Sequence, residues 1–187
     1  MKESSQNVSR ILGIDPGTSV TGYGIVQITG NKPSVVAMGI MQPGKFDDHY
    51  QRLQFLHNRA LQIIDEYKPD VLAIEAPFYG KNVQSMLKLG RAQGVIMAAA
   101  LYRNLPISEY APLLVKQSIT GMGRASKEQV SYFLQKIFNI TDLPKELDAT
   151  DAVAVAICHH LQQSRPKSAK SFKNWEDFIR KNPDRVR

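Results

Sequence analysis

Cysteine is almost absent from this chain. Cys158 is the only one among 187 residues, so no intrachain disulfide can form and the fold must rest on a packed core. Long apolar runs are missing as well. The longest, Val95–Tyr102, spans eight residues, under half of the roughly 20 that a membrane-spanning helix needs, so no membrane partner is expected. The N-terminal MKESSQNVSR has no apolar signal core. With the lone thiol, this reads as a cytoplasmic protein. There is no internal repeat and no low-complexity tract before the last two dozen residues. The composition, 43% hydrophobic and 22% charged, excludes a disordered or fibrous chain. The length suits one domain and is too short to close two large lobes around a substrate.

What the chain does have is positive charge. The net charge is +7, which favours polyanionic partners. Its distribution divides the molecule. Between Ser164 and Arg187, eight basic residues against three acidic ones give +5, leaving only +2 for the preceding 163 residues. The expected organisation is a short N-terminal extension over residues 1–9, one folded domain over 10–163 and a basic C-terminal tail over 164–187. In the tail, Phe172, Trp175 and Phe178 have helical spacing. A short docked helix and a flexible DNA-binding arm are equally compatible with it.

The domain reads as an α/β fold. Ile11–Asp15, Tyr23–Ile28 and Val35–Met41, separated by turn residues, suggest an antiparallel meander. Leu53, Leu56, Ala60, Ile63, Ile64 and Tyr67 then repeat at helical intervals. Val71–Ala76 reads as a buried strand, and a second helix is expected from about Asn82 to Arg103. Gly90, Gly94 and Ala98 share one face of that helix, suited to packing on the sheet or on a second subunit. Ile107–Tyr110 gives a last short strand. Ser126 and Gln129 have capping-box spacing ahead of Val130, Phe133, Leu134 and Ile137, and a final helix runs from near Asp148 to about Leu161. The order β-β-β-α-β-α-β-α-α predicts a five-stranded mixed sheet flanked by helices.

Four acids lie where a core would not ordinarily put them. Asp15 ends the first strand, before Pro16 and Gly17. Glu75 sits within an apolar strand, where an ionisable group needs a partner. Asp148 and Asp151, three apart, project from one helix face. Singly, each has a structural explanation: a turn at Asp15, a cap or a first-turn acid at Asp148 and Asp151. Together, if strand ends and helix start converge, they would form a cluster that repels itself unless a cation enters it. Hard divalent ions such as Mg²⁺ prefer such oxygen ligands. Two of them can clamp the attacking and leaving oxygens of a phosphodiester displacement. His159 and His160 lie more than two helical turns from Asp148 and read as late helix residues, with Cys158 as a small core filler.

Three blocks carry a family resemblance: ILGIDPGTSVTGYGIV (11–26), IEAPFYGKNVQSMLKLGRAQGV (74–95) and DATDAVAVAICHH (148–160). In order and spacing they resemble the bacterial RuvC-type Holliday-junction resolvases. The resemblance spans Arg10 to Leu161 and implies a ribonuclease-H-like fold, a homodimer and metal-dependent paired nicking of four-way DNA junctions. It also implies an acidic tetrad at Asp15, Glu75, Asp148 and Asp151, holding two Mg²⁺ ions for which Mn²⁺ is an accepted substitute. Phe78 falls on the family's base-stacking aromatic, and Lys116 and Lys127 fall on basic positions near the scissile phosphate. Lys81, Lys88 and Arg91 are further expected DNA contacts. The branch-migration proteins RuvA and RuvB are implied partners.

Gly121 and Gly123 suggest a mobile loop following Lys116. Three competing readings remain at this level. GIDPGTSVTGYG resembles a phosphate loop of actin-like ATPases and sugar kinases, but those need a second such lobe. A different nuclease of the same fold and a non-enzymatic junction-binding protein are the others.

Overall fold

A computed structural model describes residues 8–77, 82–140 and 147–164, together with Glu176, Ile179 and Arg180. Three strands open the chain: β1 (Val8–Asp15), β2 (Thr21–Thr29) and β3 (Lys32–Met41). They form the expected meander, turned between β2 and β3 at Gly30, whose φ of 63° suits a residue without a side chain. A register shift opposite Ile25 and Val26 puts an extra residue, Val36, into β3. Such bulges commonly disturb edge strands and discourage pairing with other chains. Helix α1 (His49–Tyr67) follows, started by the Asp48 carboxylate accepting from Gln51 N–H. Then come β4 (Val71–Glu75), α2 (Val83–Tyr102) and β5 (Ile107–Tyr110). The sheet order is β3-β2-β1-β4-β5, antiparallel among the first three strands and parallel from β1 to β4 to β5.

The remaining helices are α3 (Pro112–Thr120), α4 (Lys127–Phe138) and α5 (Leu147–Ser164). Two cores result, one on each face of the sheet. Leu12, Ile14, Ile25, Leu72 and Ile74 meet α1 and α2 on one side. Ile11, Val26 and Ala73 meet α3, α4 and α5 on the other. Within the first core, a helix with an apolar stripe suffices. Helix α5 differs: Ala149, Thr150 and every residue from Ala152 to His159 are buried, as expected for a helix enclosed on nearly all sides.

The tight seat of α5 comes from glycine. A Cβ at Gly13 would stand 2.0 Å from the Ala152 carbonyl oxygen, and one at Gly22 would stand 1.9 Å from that of Asp148. No side chain fits there, so β1 and β2 touch the α5 backbone directly. Small residues on the helix (Ala149, Ala152, Ala156) complete this close approach.

Two expectations change, and one of two alternatives left open for α2 drops out. The first strand begins at Val8, two residues inside the expected extension. Residues 112–120, read as leading into a loop, form helix α3, started by Pro112 and ended by Gly121 at φ 77°. Only Val115 and Ile119 of α3 are buried, too few for a periodic pattern to register. The Gly90/Gly94/Ala98 face does not pack on the sheet: it is open, with nothing within 4 Å of a Cβ placed on Gly90 or Gly94. The tail aromatics Phe172, Trp175 and Phe178 lie outside the described residues.

Replacing Gly22 by Ala is expected to destabilise the protein by about 3 kcal/mol, the upper range for forcing atoms into a packed interior. The clash is with backbone, which cannot rotate away. Thermal melting reads it directly, and an unchanged midpoint would mean that α5 does not rest on β2 as described.

Candidate active site

The chemistry-bearing residues gather at the carboxyl end of β1 and β4. Asp15 is the last residue of β1, and Glu75 ends the neighbouring parallel strand β4. Asp148 and Asp151 come from the first turns of α5, held over this edge by the glycine contacts. One carboxylate oxygen from each of Asp15, Asp148 and Asp151 lies within 4.8 Å of the others. Asp15, Glu75 and Asp151 line a single cleft of about 250 Å³, together with Lys116 of α3 and Lys127 of α4. Asp148 starts no helix as a cap, since α5 already begins at Leu147.

Electrostatics follow from this crowding. Burial first, and then the charges of Glu75 and Asp151, push the Asp15 carboxyl up to about 8. Burial and the nearby Asp151 raise Glu75 to about 7, against the opposing pull of Lys127 and Lys116. Asp151 is raised too, chiefly by burial, though its ion pair with Lys127 works the other way. The Lys127 ammonium contacts Asp151 Oδ2 and lies 3.3 Å from Asp148 Oδ1. Burial disfavours its charge, but these pairs prevail and hold its pKa above the ordinary lysine value.

The donor set is all carboxylate oxygen, and it suits Mg²⁺, Mn²⁺ or Ca²⁺ better than a metal that selects sulfur or imidazole. The cluster also asks for positive charge, as the raised carboxyl pKa values and the ammonium drawn onto it attest. The acidic group is therefore compatible with a divalent cation.

The other sequence-derived candidates divide. Lys116 and Lys127 join the carboxylates. Lys88 and Arg91 are exposed on α2 and line no part of the cleft. Phe78 and Lys81 lie outside the described residues. Cys158 is buried, with its thiol 3.4 Å from Ser118 Oγ. His159 is buried, with Nδ1 2.8 Å from Tyr110 Oη, and burial lowers its pKa. Its burial goes beyond the sequence reading, which made it a late helix residue and reserved the core for Cys158.

One residue escaped the sequence reading. Gln93 is only 4% exposed, and its amide nitrogen donates to the Glu75 backbone carbonyl (3.3 Å) and to Glu109 Oε2 (3.1 Å). It thereby ties α2 to the backbone of the residue that ends β4. A signal existed, because Gln93, Ile96 and Ala100 share the buried face of α2, and an amide inside such a stripe needs partners.

A mixed five-stranded sheet with acids at the ends of two central parallel strands and on a helix crossing them defines a ribonuclease-H-like nuclease. The comparisons carry this further. The family model described as "Crossover junction endodeoxyribonuclease RuvC" matches residues 11–159. A curated relative of that name from Bacteroides fragilis is 58% identical, covering 95% of each chain. Another from Porphyromonas gingivalis is 56% identical, covering 95% of this chain and 96% of its own. A solved structure titled "T. thermophilus RuvC in complex with Holliday junction substrate" superposes with a TM-score of 0.77 at 28% identity, covering 83% of this chain and 94% of that one. This chain belongs to the RuvC family of crossover junction endodeoxyribonucleases, the enzymes that resolve Holliday junctions. Among the described residues, no helix is long and apolar enough to cross a membrane.

The raised carboxyls make a pH prediction. Asp15 and Glu75 sit near 8 and 7 when folded, against 3.8 and 4.5 ordinarily. Between those limits the native state holds protons that the unfolded chain releases, so stability must rise as pH falls. In chelator, the melting temperature should climb as pH drops through about 8 and 7, and Asp15→Asn should flatten that slope. An unaltered slope in the variant would refute the crowding of Asp15.

Proposed function

We propose that Asp15, Glu75, Asp148 and Asp151 are the catalytic and metal-holding residues with which this resolvase cuts DNA. The observation that carries the reading is the convergence of carboxylates from two strand ends and one helix on a cleft that also holds two lysines. Asp15 is the central ligand, since it lies between the strand that carries Glu75 and the helix that carries Asp148 and Asp151. Together the four are proposed to hold two Mg²⁺ ions, or Mn²⁺ in their place. When bound, such ions lower the pKa of water and offset charge on a phosphate undergoing displacement.

The chain's own residues do the rest. Lys116 and Lys127 hold the scissile phosphate and stabilise the charge that builds on it. Phe78 stacks on an unpaired base near the crossover, and Lys81, Lys88 and Arg91 engage the backbone. Cleavage leaves 5′-phosphate and 3′-hydroxyl ends that a ligase can reseal. RuvA and RuvB are proposed as the partners that deliver the junction, in the cytoplasm.

Paired nicks require two sites, and a two-fold dimer supplies them in the symmetry of the junction. The exposed face of α2 supports this. Val83, Leu87 and Leu101 are 65%, 53% and 62% exposed, and the glycines beside them let a second helix approach closely. Unlike scattered surface apolars, these residues form a continuous strip on one helix.

Asp15→Asn should bind a synthetic four-way junction as the parent does while losing cleavage by about a thousandfold or more. Gel-shift and nicking assays with Mg²⁺ separate the two, and near-normal cutting would remove Asp15 from the mechanism. Gly94→Glu should convert the dimer to a monomer with unchanged circular dichroism. Sedimentation that shows the same mass for variant and parent would move the subunit contact elsewhere.

A further inference from the structure

Lysine is an unusual residue to open a helix. Lys127 is the first residue of α4, next to the Ser126 cap, where the helix dipole is positive and disfavours a cation. The cap itself is secure: Ser126 and Gln129 satisfy one another's backbone N–H groups, at 3.3 and 2.9 Å. A fixed backbone with a long side chain means that the ammonium can relocate without unwinding the helix. Its charge is spent on neighbours in another element. It contacts Asp151 Oδ2 and lies 3.3 Å from Asp148 Oδ1. Lys116, by contrast, lines the same cleft and acts on Glu75 and Asp151 by charge, without an ion pair to either.

Two of the three carboxylates grouped as a possible cation site are therefore already engaged by a protein cation. A divalent ion and an ammonium drawn to the same pair of carboxylates repel each other and compete for them. We infer that Lys127 is an exchangeable counter-ion: it holds Asp148 and Asp151 together in the metal-free enzyme and gives way when a divalent ion enters. This rests on the proposed role of the carboxylates as metal ligands.

A consequence follows for the order of events. Displacement strands an ammonium at the mouth of the cleft, and a DNA phosphate offers it a new partner. Metal and DNA then strengthen each other's binding, because each relieves a charge that the other leaves unpaired, and such coupling is reciprocal. The enzyme without DNA is held with its carboxylates neutralised from within, and the junction backbone favours loading of the ions.

The test is calorimetric titration of Mg²⁺ into the full chain at one fixed pH above the raised carboxyl values of about 8 and 7. Lys127→Met, with Lys127→Gln as a second variant, should bind Mg²⁺ about tenfold more tightly than the parent, within the usual range for a lost competing interaction. Lys116→Met controls for charge without an ion pair and should tighten Mg²⁺ binding less than either Lys127 variant. In chelator, Lys127→Met should melt below the parent, and saturating Mg²⁺ should restore more of its melting temperature. Equal or weaker Mg²⁺ binding by both Lys127 variants overturns the inference, as does equal tightening by Lys116→Met. If Asp151→Asn binds Mg²⁺ as the parent does, or if no protein in the series binds it, the ligand assignment itself falls.

Discussion

Everything at this site depends on how closely α5 lies on the sheet. Its backbone rests against β1 and β2 at positions where even a methyl group would overlap a carbonyl oxygen. A helix standing off by the usual side-chain thickness would carry Asp148 and Asp151 away from the end of β1. The cluster would then open into separate surface carboxylates, each comfortably hydrated. Glycine in a strand is intrinsically unfavourable, so its use here exchanges local strand preference for the proximity of α5. The burial of α5 on nearly every side supplies the compensating hydrophobic contact.

That proximity creates the second constraint. Carboxylates driven together and partly desolvated favour their neutral forms, and burial contributes more than any single neighbouring charge to Asp15 and Glu75. The folded protein thus carries stored electrostatic cost at the proposed catalytic site. Two lysines lessen it without removing it. A site of this kind is made to accept further positive charge, and a cation that binds only the folded state adds to its stability. Acidity and DNA affinity are opposed demands, and the fold separates them: acids at the strand ends and on α5, bases on the flanking helices α3 and α4.

Much of this was legible in the sequence, for identifiable reasons. The five strands could be read because their apolar runs are bounded by Gly, Pro and Asp. The capping box at Ser126 marked the start of α4. Asp15 and Glu75 stood out as charges at the ends of apolar strands, and the three matching blocks tied them to Asp148 and Asp151. What escaped depends on three-dimensional neighbours. Helix α3 buries only two side chains, so its nine residues carry almost no periodic signal. Nothing local in the sequence gives Gly13 or Gly22 a packing role, because the backbone they admit belongs to a helix more than 120 residues further along the chain. The ion pair between Lys127 and Asp151 joins segments that neither propensity nor spacing connects.

Helix α2 shows why one element can serve two demands at once. Its inner face places Ala92, Ile96, Ala99 and Ala100 in the core and sends one amide, Gln93, to the carbonyl of Glu75. Its outer face is small and apolar, without a covering partner among the described residues. Rigid helices transmit displacement along their length far better than loops do. A subunit seated on the outer face of α2 would therefore press on an element already bonded to the end of β4. Seen this way, the buried amide is the short physical link between the proposed dimer surface and a proposed catalytic carboxylate. Its cost, a polar group inside an apolar stripe, is tolerable only because both of its acceptors are present.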